Sequence, residues 1–201
     1  MPIALLLEKY MKIKNLFKPD NWWLLILIGI ISWMIYVIIS NPEYNKAFNF
    51  ILPGLSITFL STIVSFVIAL FLGLISGIGR ISKNKIASTI SRTYIEFIRG
   101  VPVLILIFTI AFVVVVRGAE FFNINNGNVP MLVRAIIALS VFYGAYIAEV
   151  FRAGIESVPV GQREGGASLG LTDRQVMRFI VLPQAFRNML PALGNDFISM
   201  M

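Results

Sequence analysis

The sequence predicts an all-α fold, a multi-spanning transmembrane helix bundle with about five hydrophobic segments, the last of them incomplete. Three observations lead there. Of 201 residues, 58% are hydrophobic and only 13% charged, whereas soluble domains run near ~45–50% and ~25%. A mean hydropathy of +0.85 leaves too few polar side chains to coat a water-facing surface, so the solvent must be lipid. The apolar residues also come in runs of the ~20 residues that a helix needs to cross a ~30 Å hydrocarbon core. Cysteine and histidine are both absent. Disulfides, thiolate chemistry and the commonest base and metal ligand are thereby excluded, and no cofactor is expected.

The first run, residues 21–42, carries no charge and opens on Trp22 and Trp23, whose amphipathic rings suit a membrane–water interface. A basic segment with Lys9, Lys12, Lys14 and Lys18 precedes it. The run exceeds the ~7–15 residues of a signal-peptide core, and no small-residue cleavage site follows, so it reads as a spanning helix. Residues 1–46 therefore form an N-terminal unit and residues 47–201 a core domain. The second run, 47–79, is too long for one untilted helix. Pro53-Gly54 is expected to divide an interfacial start from a spanning helix over 55–78. Gly73 and Gly77 form a GxxxG pair that admits close helix packing. The third run, 100–116, is rich in β-branched residues, and its helix is expected to begin earlier, near Tyr94. The fourth, 129–150, has Arg134 and Glu149 near its ends and an uncharged interior over 135–148. From Leu182 the chain is apolar again, interrupted by Arg187, Pro191 and Asp196, and it stops inside that segment at Met201.

Positive loops stay cytoplasmic. With the N-terminus inside and the chain alternating sides, Lys46, Arg117 and Arg134 face outward. The other fourteen of 17 basic residues, clustered around Lys9–Lys18, Arg80–Arg99 and Arg152–Arg187, face the cytoplasm. The net charge of +7 is thus topological, spread over three loops, and no nucleic-acid partner is expected.

Residues 151–181 form a cytoplasmic loop that is neither low-complexity nor a charge run. Pro159 and Gly161 break any helix descending from the membrane. A short helix over 162–169 would end at Gly170, a natural left-handed terminator. Thr172 with Gln175 three residues on forms a capping box for a second short helix, with Val176, Phe179 and Ile180 as its apolar stripe. From the residues alone, such a loop either seals the bundle or docks a cytoplasmic partner.

Glu164-Gly165-Gly166, then Gly170, then Leu182-Pro183 resemble the EAA signature of ATP-binding-cassette importer permeases. The likeness narrows to the polar amino acid (histidine/glutamine/arginine-type) family on further motifs. These run from Gly144 through Glu149, Arg152, Gly154 and Ile155, through Gly161-Gln162 and Leu169-Gly170-Leu171, to Leu182-Pro183-Gln184-Ala185. Glu96 through Arg99-Gly100 to Pro102, and Pro191 through Gly194-Asn195 to Ser199, match as well. Two departures stand out. Gly165-Gly166 replace the usual alanines, at about 1 kcal/mol each in a helix, so the coupling helix should be looser. Leu106 stands where the family commonly has glutamine.

The resemblance implies a bacterial inner-membrane permease that performs no covalent chemistry. It implies a cytoplasmic ATP-binding subunit docking on Gly161, Gln162, Arg163, Glu164, Gly165, Gly166 and Gly170, with Glu164 as a polar contact in the groove and Gln162 and Arg163 at the rim. It further implies an extracytoplasmic solute-binding protein, a second permease chain, and a further loop and helix beyond Met201. No GxxxxGK[ST] loop occurs in the chain, so ATP hydrolysis is expected on the partner. Glu149 with Arg152 and Glu96 with Arg99 are expected as local ion pairs at helix ends. The competing reading, a channel or an ion-coupled secondary transporter, meets no mid-span carboxylate in the first four segments.

Overall fold

The computed structural model describes residues 22–125 and 129–201. The basic segment with Lys9, Lys12, Lys14 and Lys18, and Asn21, lie outside the described residues. Two units emerge, one reaching Ser56 and one from Ile57 onward, a boundary ten residues past position 46 and inside a helix.

In the first unit, α1 spans Trp22–Ser40, and none of its residues is buried. Asn41 Oδ1 accepts the Glu43 N–H at 3.0 Å, and Pro42 supplies the first helical residue of α2, Pro42–Ile81. Pro53 does not divide this helix, contrary to expectation. A break in lipid would strand several N–H and C=O groups where no water can satisfy them, whereas a proline within a continuous helix removes one bond. Forty residues make α2 about 60 Å long, twice the hydrocarbon thickness.

The second unit holds the rest of α2, α3 (Lys85–Gly100), α4 (Val103–Phe121), α5 (Met131–Glu156), α6 (Val160–Ser168) and α7 (residues 173–199). No helix begins near Tyr94. Asn84 caps α3 by accepting the Ile86 and Ala87 N–H groups, and Pro102 ends it with Val101 pushed into an extended conformation. The third apolar run therefore supplies α4 alone. The capping box at Thr172 and Gln175 is formed, but the helix it opens is not short: α7 continues through a π-helical stretch, Val176–Val181, into the fifth apolar segment. That stretch ends just before Pro183, whose ring would clash with the carbonyl four residues back in a regular helix, and the wider turn relieves it. The added residue also shifts the register. Val176 and Val181 are buried, whereas Phe179 is 62% exposed, which corrects the expected stripe.

The buried face of α2 is built from small and hydroxylated side chains. Thr62, Ser65, Ala69, Gly73 and Gly77 of α2 are buried; Gly73 and Gly77 meet Ile147, Ala148 and Phe151 of α5 and Ser65 meets Ser140, while Ala138 and Ala145 of α5 pack with Ile98, Leu106 and Ile110 of α3 and α4. Phe71, Ile75 and Leu104 point outward. This inverts the soluble pattern and is what lipid demands: with no hydrophobic drive between helices, close approach and hydrogen bonds hold them. A Cβ on Gly73 would lie 2.5 Å from Ile147 Cγ2, and one on Gly77 2.9 Å from the Ala148 carbonyl oxygen. The GxxxG pair thus seats α5. The Ser140 hydroxyl lies within hydrogen-bonding distance of the Ser65 carbonyl oxygen at 3.3 Å and that of Ile136 at 2.6 Å, and Tyr94 donates to the Val141 carbonyl at 2.6 Å.

Candidate functional site

The loop between α5 and α7 is a folded platform. Pro159 starts α6, and its preset φ places the helix start at Val160, so Gly161 lies within the helix instead of breaking it. The helix closes in a Schellman turn: Leu171 N–H bonds the Gly166 carbonyl at 3.2 Å and Gly170 N–H that of Ala167 at 2.9 Å. Gly170 adopts φ +80°, which strains any residue with a Cβ.

Two contacts fasten α6 to its neighbours. Arg163 Nη2 donates to the Ile155 carbonyl of α5 at 2.8 Å. Buried Gly166 sits against α7, where a Cβ would come within 2.5 Å of Ile180 Cδ1 and 3.0 Å of Val176 Cγ2. Arg163 therefore turns inward, away from the rim position expected of it. Gln162 stays exposed, with Gln184 at 3.5 Å. Glu164 faces solvent, and the Cβ positions of Gly161 and Gly165 are open. Val160 and Leu169 add exposed apolar side chains to the same helix and its end.

Charged groups gather where α2, α3 and α5 meet. Arg152 Nε donates to Glu149 Oε1 at 3.0 Å, Arg80 Nη1 donates to Glu149 Oε2 at 3.1 Å, and Arg152 also pairs with Glu156. Arg80, Glu149 and Arg152 are all largely buried, so this cluster ties the ends of α2 and α5 together. The expected pair of Glu96 with Arg99 does not form. Glu96 lies 3.8 Å from Arg92 and 3.9 Å from Arg80, while the Arg99 guanidinium lies over the Tyr146 ring, 5.4 Å from its centroid.

Beside this cluster opens a cleft of about 390 Å³ lined by Arg99, Tyr146, Glu149, Ser157, Asn188 and Asp196 among others. Sequence reasoning missed it as a unit. Asp196 figured as an interruption of an apolar segment and as part of the motif from Pro191 to Ser199, although a carboxylate in such a setting is itself a signal. Asn188 and Tyr146 carried none, since only the packing of α3, α5 and α7 brings them together. Asn188 Nδ2 donates to Ser157 Oγ at 2.8 Å. Asp196 Oδ2 is buried without a hydrogen-bond partner.

Residues 69–201 match the model of the family described as binding-protein-dependent transport system inner membrane component. The chain is 40% identical over 158 residues to the probable amino-acid permease protein YxeN of Bacillus subtilis, covering 78% of this chain and 67% of that protein. It is 35% identical over 150 residues to the histidine/lysine/arginine/ornithine transport system permease protein HisQ of Escherichia coli, covering 73% and 66%. The crystal structure of an amino acid ABC transporter with histidines superposes with a TM-score of 0.70 at 35% identity, over 79% of this chain and 70% of that one. The chain spans about two thirds of the length of these curated relatives. Its bundle is that of a multi-pass membrane permease.

Proposed function

The chain belongs to the family of binding-protein-dependent transport system inner membrane components, and on that premise we propose that it is the permease subunit of an ATP-driven amino acid importer. It forms the substrate path and couples to a separate ATPase chain through the 161–171 loop. The double fastening of α6 carries this reading. A pull on its outer face, at Glu164 and Leu169, reaches α5 through Arg163 and Ile155 and reaches α7 through Gly166, Ile180 and Val176. Those two helices carry Glu149, Asn188 and Asp196 of the cleft, so closure of the ATPase pair on ATP reshapes the path. The two sites are coupled by a bistable bundle, as allosteric transmission requires. ATP is hydrolysed on the partner. An extracytoplasmic binding protein delivers the amino acid, a second permease chain completes the assembly, and the positive loops set an N-terminus-in orientation in a bacterial inner membrane.

The test is reconstitution of the full-length chain with its ATPase and binding protein, wild type and with Glu164→Ala and Gly170→Val. ATP-dependent amino acid uptake that falls in both variants supports the reading. Wild-type assembly and uptake in both variants would sink the coupling assignment. Uptake without any ATPase chain would favour a channel or ion-coupled carrier.

A further inference from the structure

Helix α3 has 16 residues and carries Lys85, Arg92, Glu96 and Arg99, so it is too short and too charged to cross the hydrocarbon core. Its inner side is taken by the bundle. Ser88 Oγ donates to the Arg80 carbonyl at 3.1 Å, Ile95 and Ile98 are buried, and a Cβ on Gly79 would lie 2.1 Å from Ser91 Oγ. The outer side divides in two. Ile86, Ile90 and Phe97 are 72%, 65% and 64% exposed, and the helical repeat places them within about 40° of one another. Lys85, Arg92 and Glu96 are also exposed and stand about 100–140° further round. An apolar stripe bordered by a basic edge is the surface of a helix that lies in a membrane interface, its stripe toward the acyl chains and its cations at the headgroups.

The same stripe borders a groove. Between the last turns of α2 and the start of α3 lies a hollow of about 440 Å³, walled by Ile75, Ile78, Ala87 and Ile90, with Ser82 and Ser91 in its lining. Ile75 and Ile78 are exposed and belong to a helix long and apolar enough to span, so the groove meets the acyl region. Lys83 and Lys85 follow directly, both exposed and, among the described residues, in no ion pair. The turn that carries them is pinned: Asn84 N–H donates to Ser82 Oγ at 3.1 Å, and Asn84 Oδ1 accepts the Ile86 N–H at 2.9 Å. From Arg80 to Arg99, five basic residues stand against Glu96 alone, a balance that selects an anionic partner.

We infer that this groove and the outer side of α3 hold an anionic phospholipid, with one acyl chain along Ile75, Ile78 and Ile90 and its phosphate between Lys83 and Lys85. Lysine suits that role because its ammonium is a point charge on a flexible stem, which follows a headgroup without a fixed geometry. A zwitterionic lipid fills the apolar seat equally well but brings its own ammonium, which the two lysines repel. The N-terminus-in orientation of the importer reading sets only which leaflet supplies the lipid, the cytoplasmic one.

The test is native mass spectrometry of the full-length chain in detergent, titrated with dioleoyl phosphatidylglycerol, dioleoyl phosphatidylcholine or glycerol phosphate. Each lysine near an anionic headgroup changes affinity about fivefold, so the wild type is expected to bind phosphatidylglycerol about 20-fold more tightly than phosphatidylcholine. Glycerol phosphate alone should not bind. Lys83→Gln combined with Lys85→Gln is expected to erase the preference and leave phosphatidylcholine binding unchanged. Ile90→Gln should weaken both lipids alike, because it touches only the shared apolar seat, and Lys46→Gln in the first unit should change neither. All four positions are exposed, so the fold is kept. The site is overturned if the wild type binds both lipids equally, if the double variant keeps the preference, or if glycerol phosphate binds as tightly as phosphatidylglycerol. Loss of phosphatidylglycerol binding when the ATPase chain is added would assign the groove to protein instead. ATP-driven uptake reports on the importer reading separately: its absence from vesicles of either lipid would sink that reading and leave the lipid site standing.

Discussion

Helices α1 and α5 are both long and apolar enough to cross a membrane, yet they differ in what they offer a neighbour. Along α1 large side chains dominate, Trp22, Ile26, Trp33, Tyr36 and Ile39 among them, and none of its residues is buried. Along α5 glycine, alanine and serine recur on the sides that meet its neighbours, and nine residues are buried. Total hydrophobicity says only that a segment prefers lipid to water. The placing of small and hydroxylated residues says whether it prefers another helix to lipid, because in a bilayer the gain comes from close contact and hydrogen bonding. α1 carries mainly the first kind of surface, and α5 carries the second.

Substitutions can break or sharpen that contrast. The largest effect is expected from Gly73→Val on the α2 surface that meets α5, where even a Cβ would lie 2.5 Å from Ile147. Overpacking there should cost about 3 kcal/mol, read as a loss of thermal stability in detergent. The matched Gly29→Val in α1, where nothing lies within 4 Å of the Cβ position, should leave the melting temperature unchanged. Equal losses from the two would erase the distinction. Next comes Glu149→Gln, which strips the Arg80 and Arg152 guanidiniums of their shared carboxylate. Because those side chains are largely buried, we expect a loss of about 3 kcal/mol, partly recovered by Arg80→Met in the same chain. The smallest effect is expected from Ser140→Ala, which removes the hydroxyl near the Ser65 and Ile136 carbonyls. A transmembrane hydrogen bond contributes about 0.6 kcal/mol, and Ser32→Ala in α1 should show no change by the same thermal assay.

Much of this was legible in the sequence wherever the controlling physics is local or is set by the solvent. The apolar runs mark the spans, Gly170 marks its left-handed turn, and Thr172 with Gln175 marks a helix start. The features that were not legible depend on lipid, on a local change of helical period, or on partners far along the chain. Pro53 looks like a breaker until lipid makes breaking worse. Arg163 looks like a rim contact and Arg99 like the partner of Glu96 until the Ile155 carbonyl and the Tyr146 ring arrive beside them. The π turn before Pro183 moves Phe179 outward, which a fixed helical period cannot anticipate. The cleft is the extreme case, since its walls come from three helices.

The central claim is that α6 acts as a lever, gripping α5 through Arg163 and α7 through Gly166 while its outer face meets the ATPase. Arg163→Met tests this most directly in the reconstituted assembly, because it removes the bond to Ile155 and leaves Glu164 and Leu169 in place. We expect the ATPase chain to co-purify as with wild type while ATP-driven uptake falls at least tenfold per ATP hydrolysed. Uptake per ATP equal to wild type would contradict the lever.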